Sequence, residues 1–319
     1  MFLKYAAKRA LMMVPTLLGV AIIIFLMVRV MPGDIIEIKY ANSTGSSVPQ
    51  EIIDAERARL GLDQPVIVQM GDWLVGLATL DLGTSLWTER PVWDEIMARF
   101  PVTIQTAILS IVIAVVVAIP LGTLAAIYNG TIIDQAVRVL TIGGIAIPSF
   151  WLGMLILMFL LIGFGWAPPL NFVSFHRDPV ANLSLLIWPA VSVGYRLASL
   201  IARMIRSSLL EVMNEDYIRT ARAKGVREAL VVRRHALRNA LLPAITVIGI
   251  EFALLIGGLV VTEQVFNLNG IGRLFIDAVQ HNDFMLIQGL VMVTAVFFML
   301  VNLTVDLLYA ALDPRIELK

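Results

Sequence analysis

The sequence predicts an all-α membrane protein of six transmembrane helices. Both termini are expected on the cytoplasmic side, with a long external region between the first and second helices. Three observations carry this reading. Of 319 residues, 59% are hydrophobic and only 15% charged, with mean hydropathy +0.85, against roughly 25% charged and 45–50% apolar in soluble domains. Uncharged apolar runs recur along the chain, close to the ~20 residues that cross a ~30 Å hydrocarbon core. Lysine and arginine are concentrated in one connection between those runs.

Residues 10–28 form the first run, and Arg29 at its far end is placed to snorkel to the interface. Lys4, Lys8 and Arg9 ahead of it also fit a signal peptide. The run is long for such a segment, however, and no A-x-A-like cleavage site follows, so it is read as a retained helix. Runs 101–127 and 139–167 are the second and third spans. The fourth, 183–202, is weakened by Arg196; the fifth, 240–261, carries Glu251 at its middle; the sixth, 284–305, ends before Asp306. Pro120, Pro148 and Pro189 are expected to kink or end their spans. Gly249, Ala253 and Gly257 recur at four-residue spacing, a pattern for close helix packing.

Charge sets the orientation. Residues 203–238 hold nine bases (Arg203, Arg206, Arg219, Arg222, Lys224, Arg227, Arg233, Arg234 and Arg238) against four acids. The connections 263–283 and 168–182 hold one base each, Arg273 and Arg177. The basic segment, the N-terminal bases and the C-terminal Arg315 and Lys319 are therefore assigned to the cytoplasm. The short 128–138 connection is uninformative. Residues 32–100 then lie outside, with eleven acids and five bases. Trp73, Trp87 and Trp93 there suit a membrane interface, and 42–49 (NSTGSSVP) is the loop-like part. The chain thus divides into 1–31, 32–100, a five-helix core at 101–310, and a tail at 311–319.

Several chemistries are excluded. Equal totals of 24 basic and 24 acidic residues point to no nucleic-acid partner. There is no cysteine, and the three histidines (His176, His235, His281) lack metal-ligand spacing, so no metal site is expected. No paired acids or nucleophile arrangement falls within a span, so no catalytic residue is assigned. No G-x-x-x-x-G-K-[ST] loop occurs, so ATP is not bound by that route. Glu251 either faces a water-filled path as a gate residue, pairs with a base such as Arg196, or is protonated; a polar packing contact is the alternative.

The segment 207–238 is the most informative. Glu211, Glu215 and Asp216 precede Arg219, Arg222 and Lys224 at helix-pairing distances. The helix is expected to break at Gly225 and to resume until Pro243. A solvated basic loop is the plain alternative. The run Tyr217-Ile218-Arg219-Thr220-Ala221-Arg222-Ala223-Lys224-Gly225, followed by His235-Ala236-Leu237-Arg238-Asn239 through Pro243, resembles the cytoplasmic signature of ABC-transporter permeases of the dipeptide/oligopeptide/nickel class, B-type. Further matching motifs are Pro32-Gly33-Asp34, Leu60-Gly61-Leu62-Asp63-Gln64-Pro65, Asp81-Leu82-Gly83-Thr84-Ser85, Gly270-Ile271-Gly272-Arg273-Leu274 and Asp313-Pro314-Arg315. The generic pattern opens Glu-Ala-Ala, where this chain has Arg219, Thr220 and Ala221.

The resemblance implies a multi-pass subunit of a bacterial-type inner membrane, forming half of a pathway for peptides or related solutes. It implies that Tyr217, Arg219, Thr220, Ala221, Arg222, Ala223, Lys224 and Gly225 form a coupling helix docked on a separate ATP-binding subunit. Small Ala221, Ala223 and Gly225 would allow close approach, and the bases would supply rim contacts. The chain itself would hold no cofactor; ATP-Mg would sit on the partner. A second, related permease subunit and an external substrate-binding protein are the other implied partners. The competing reading is a stand-alone secondary transporter or channel that uses Glu251, with Arg196 beside it, as its coupling site.

Overall fold

The computed structural model describes residues 2–30, 49–59, 61–169 and 171–312. Pro32-Gly33-Asp34, Leu60, nearly all of the 42–49 loop, and Asp313-Pro314-Arg315 with Lys319 lie outside the described residues. The described residues are helical apart from connections and one isolated bridge, Thr84 to Pro91. A backbone in lipid must satisfy its polar groups internally, and a helix does so within one segment.

The helices are α1 (Phe2–Val30), α2 (Gln50–Arg59), α3 (Val66–Thr79), α4 (Val92–Ile127), α5 (Ile132–Ala146), α6 (Ser149–Phe164), α7 (Pro179–Val212), α8 (Asp216–Ala223), α9 (Glu228–Gly258), α10 (Val260–Val265), α11 (Ile271–Gln280) and α12 (Phe284–Leu312). Five are long and apolar enough to cross a membrane: α1, α4, α7, α9 and α12. The predicted third span, 139–167, is not one straight helix. α5 and α6 meet at a bend of 100°, and the pair counts as a sixth span only if taken together. The cause is Pro148, which forces Ile147 out of the helical region to ψ 122°. By contrast, Pro189 is tolerated inside α7, and α4 runs unbroken through Pro101 and Pro120. The second cytoplasmic helix does not stop at Pro243 either: α9 continues through it to Gly258. The sixth span likewise continues past Asp306, which is paired with Arg9 at 2.8 Å.

The chain divides into two compact units: 1–101 with 269–319, and 102–268. In the first, α1 lies along α12 and touches α3, joined by Ala21, Phe25, Trp73 and Met292. A second cluster joins the start of α4 (Val92, Ile96) to α11 and α12 through Ile271, Leu274, Leu286 and Leu290. Asp283 caps α12, its Oδ1 accepting from the Leu286 amide at 3.1 Å, while its Oδ2 accepts from the Ser85 hydroxyl and from the Trp87 amide.

In the second unit α7 is the hub, packed by α5, α6 and α9. Of the five long apolar helices it is the least apolar, yet it is the most buried. A helix surrounded by protein can carry Ser192, Ser199 and Asn182, each buried, where a lipid-facing helix could not. The serine hydroxyls donate back to Pro189 and Tyr195 carbonyls at 2.8 and 2.9 Å. Close approach to α4 requires glycine at two points. A Cβ on Gly194 would lie 2.9 Å from the Ser110 carbonyl oxygen, and one on Gly122 would lie 2.6 Å from that of Ala202.

Candidate coupling segment

α7 ends at Val212, a tight turn over 213–215 follows, and α8 begins at Asp216. With only eight residues, α8 is too short to be stable alone, so it must be held by its neighbours. Two apolar side chains on one face do this. Ile218 is fully buried and Ala221 is buried, in a cluster with Ala126 of α4, Leu209 of α7, and Val231, Ala236 and Ala240 of α9. Polar ties bind α8 to α9 at both ends. Asn239 Nδ2 donates to the Tyr217 hydroxyl at 2.8 Å. Arg222 grips Glu228 through two nitrogens, at 2.7 and 3.1 Å. That carboxylate holds the Arg222 guanidinium above its ordinary pKa.

The C-terminus of α8 closes in the glycine-dependent way that the sequence predicted. Gly225 has φ +76°, the Val226 amide donates to the Ala221 carbonyl at 3.3 Å, and the Gly225 amide donates to the Arg222 carbonyl at 2.9 Å. This is the paired bonding of a Schellman cap, with Val226 returned to the apolar cluster. A Cβ at Gly225 would meet nothing within 4 Å, so conformation rather than space demands glycine there.

The implied coupling residues therefore sort by face. Tyr217, Arg219, Thr220, Arg222, Ala223, Lys224 and Gly225 are exposed. Ala221 is not: it points into the protein's own cluster, so its small size serves close approach within this chain rather than to a partner. Arg219 pairs with Asp216 at 2.8 Å, both well exposed, which leaves it free to exchange partners.

After a first α-helical turn, α9 widens into π-helical turns over Val231–Ala236. This widening places Val231, Val232 and Ala236 inward and leaves Arg233 and Arg234 exposed. No sequence signal pointed to it.

Arg196 and Glu251 do come together, with Nη2 to Oε2 at 2.7 Å between α7 and α9. The pairing with a base that the sequence allowed for Glu251 is therefore present. Of the small-residue face beside it, Gly249 and Ala253 are buried but Gly257 is open.

A second ion cluster was missed. Asp134, in the connection that seemed uninformative, is buried. Its carboxylate accepts from Arg206 Nε at 2.7 Å and Nη2 at 2.9 Å, and from the Gly130 amide at 3.0 Å; Arg138 stands 3.5 Å away. Arg206 also donates to the Asn129 side chain at 2.9 Å. Arg206 had been counted only as one of nine cytoplasmic bases. The Asp134–Arg138 spacing of four was the available signal, and nothing local identified Arg206 as its stronger partner.

Comparison with known proteins matches residues 118–318 to the family described as binding-protein-dependent transport system inner membrane component, and residues 2–107 to the N-terminal region of such membrane components. A protein of Brucella suis biovar 1, provisionally named a peptide transport system permease protein, is 41% identical over 97% of this chain and 98% of its own length. The glutathione transport system permease protein GsiC of Salmonella choleraesuis is 40% identical over 99% of this chain and its full length. Among solved structures, a chain of the inward-facing MetNI methionine ABC transporter aligns with TM-score 0.55 and 19% identity, over 66% of this chain and 93% of that one. That likeness is one of fold.

Proposed function

Because the chain belongs to the family of binding-protein-dependent transport system inner membrane components, and is thus an ABC importer permease of the peptide class set in the inner membrane, we propose that α8 is the element through which its ATPase partner drives transport. The observation that carries the proposal is the division of α8 into two faces. Ile218 and Ala221 fasten it to the ends of α4, α7 and α9, while Arg219, Thr220, Ala223 and Lys224 are exposed on its outer side. A rigid body seated between three spans transmits a push to all of them, and an outward polar face suits a groove on another subunit. Family membership displaces the stand-alone secondary transporter, and the Arg196 partner accounts for Glu251 without ion coupling. We read that pair as a tether between α7 and α9.

The finer assignments follow the same reading. The nine bases of 203–238 support a cytoplasmic position for α8 and both termini, and with it an external position for 32–100 and the 263–283 connection, facing a substrate-binding protein. A second, related permease completes the pathway as a heterodimer. ATP-Mg is held by the partner ATPase. The cargo is a peptide or a peptide-like solute such as glutathione, in line with the names carried by relatives about 40% identical.

The test is purification of the tagged chain from its native membrane in mild detergent, with mass spectrometry of its companions. One or two ATPases and a second permease should follow it. Addition of the external binding protein loaded with a short peptide should raise ATP hydrolysis. A chain that purifies alone and moves solute down an ion gradient would contradict the proposal.

A further inference from the structure

Four buried side-chain polar atoms among the described residues have no hydrogen-bond partner, and three of them belong to residues lining one cavity: Arg29 Nε, Trp73 Nε1 and Gln288 Nε2. The cavity measures about 210 Å³ and lies wholly within the first unit, walled by α1, α3, α12 and the 81–83 turn. Trp73 and Gln288 are more than nine-tenths buried. Leaving a buried donor unmade is costly. These three nitrogens belong to cavity-lining side chains and are themselves covered, while Arg29 Nη2 donates to the Gln69 side chain, so a single acceptor-rich group that turned those side chains inward would satisfy all three. An oxyanion has that chemistry. Asp72 and Asp81 also line the cavity and are exposed, so the complementary ligand carries a cationic group beside its oxyanion.

A second, apolar groove of about 360 Å³ adjoins the first and shares Leu82 with it. It is built from the same three helices, one turn further along each, with Leu80, Leu82 and, from α4, Trp93 beside them. Phe25, Trp73 and Gln288 border the polar cavity, and Ala21, Leu77 and Met292, each four residues away on the same helix, border the groove. Water alone would suit the polar cavity, but nothing dissolved in water suits the aliphatic groove. An amphiphile suits both. Arg29 closes an apolar helix long enough to span, which sets the polar cavity at headgroup level and points the groove towards the membrane centre.

We propose that this pair of cavities is a binding site for one zwitterionic phospholipid, with its phosphodiester among Arg29, Trp73 and Gln288, its ammonium group towards Asp72 and Asp81, and one acyl chain in the groove. The site needs neither the orientation nor the ATPase docking proposed above. A soluble zwitterion, such as a peptide, shares the headgroup chemistry but lacks the chain.

The test is native mass spectrometry of the detergent-purified transporter complex. It is first washed free of loose lipid, then titrated separately with phosphatidylethanolamine, phosphatidylglycerol, soluble phosphoethanolamine and dialanine. One tightly held phosphatidylethanolamine per chain is expected, favoured about tenfold over phosphatidylglycerol, with no adduct from either soluble compound. Trp73→Phe keeps the ring and removes only the donor, and Gln288→Leu removes an amide at nearly constant volume. Each should weaken retention about tenfold, the scale of one lost buried hydrogen bond, and Ala78→Trp in the groove should do the same. Arg29→Gln is the harsher change, and its misassembly would leave the other three variants to decide. Equal binding of both lipids, binding of soluble phosphoethanolamine or dialanine, or no lipid retained by the parent chain on titration would each overturn the assignment.

Discussion

Ile218→Ala is the change that most cleanly separates the two faces of α8. Ile218 has no exposed surface and is the only large apolar side chain that α8 contributes to its cluster. Truncation removes three carbon groups at about 0.8 kcal/mol each. The cavity left behind raises the loss to about 3 kcal/mol, within the usual range for such core truncations. An eight-residue helix has no stability of its own to absorb this. The equilibrium between docked and released α8 should therefore shift by about two orders of magnitude. Hydrogen exchange on the purified complex reads this directly. Amides of 218–226 should exchange about a hundredfold faster, while the middle of α7 stays as protected as before. ATP hydrolysis stimulated by loaded binding protein should fall in step. Unchanged exchange at 218–226, or full stimulation despite fast exchange, would refute the claim that Ile218 seats the element that couples the subunits.

Other outcomes follow from the same geometry. Gly225→Ala meets no steric obstacle, so its cost is the left-handed backbone alone, about 1–2 kcal/mol; exchange should quicken at 224–226 while the Ile218 amide changes little. Asp134→Asn removes the buried carboxylate that the half-buried Arg206 holds through two nitrogens and should cost about 2 kcal/mol, read as a lowered melting temperature of the detergent-solubilised protein. Arg196→Met alone should impair transport by stranding Glu251. Arg196→Met with Glu251→Leu should restore it if the pair is a tether, whereas a pathway role would leave the double variant inactive. Arg219→Ala, at an exposed pair, should leave melting unchanged to within about 1 kcal/mol and alter only partner affinity, measured by ATPase titration.

What was legible in the sequence follows what is local. Runs of apolar residues and the Lys224-Gly225 helix end depend on neighbours in the chain, and α1, α4, α12 and the Schellman cap agree with them. The bend at Pro148 was signalled, but its size depends on how α5 and α6 each pack on α7. The fourth span looked weak because Arg196 interrupts it, and a base is admissible there because α7 faces mostly protein and Arg196 meets Glu251 of α9. Pro243 read as a stop because a proline's effect depends on whether neighbours satisfy the carbonyl it leaves open, and α9 passes through it. At the candidate site, the exposed bases of α8 were identifiable by type, yet the inward turn of Ala221 was not. A helix's buried face is set by the α4, α7 and α9 residues around it, nearly a hundred positions away in the case of Ala126. Asp134 and Arg206, 72 positions apart, were hidden for the same reason.

The central claim is that the outward face of α8 meets the ATPase, and the chain's lack of cysteine offers a clean way to test it. Single cysteines at Arg219, Ala223, Lys224 and, as a control, Ala221 would be treated in native membranes with a short bifunctional thiol–amine reagent. The account predicts adducts to the ATPase subunit from 219, 223 and 224, modulated by ATP, and none from the buried 221 position. Equal labelling from 221, or no ATPase adduct from any of the four, would contradict it.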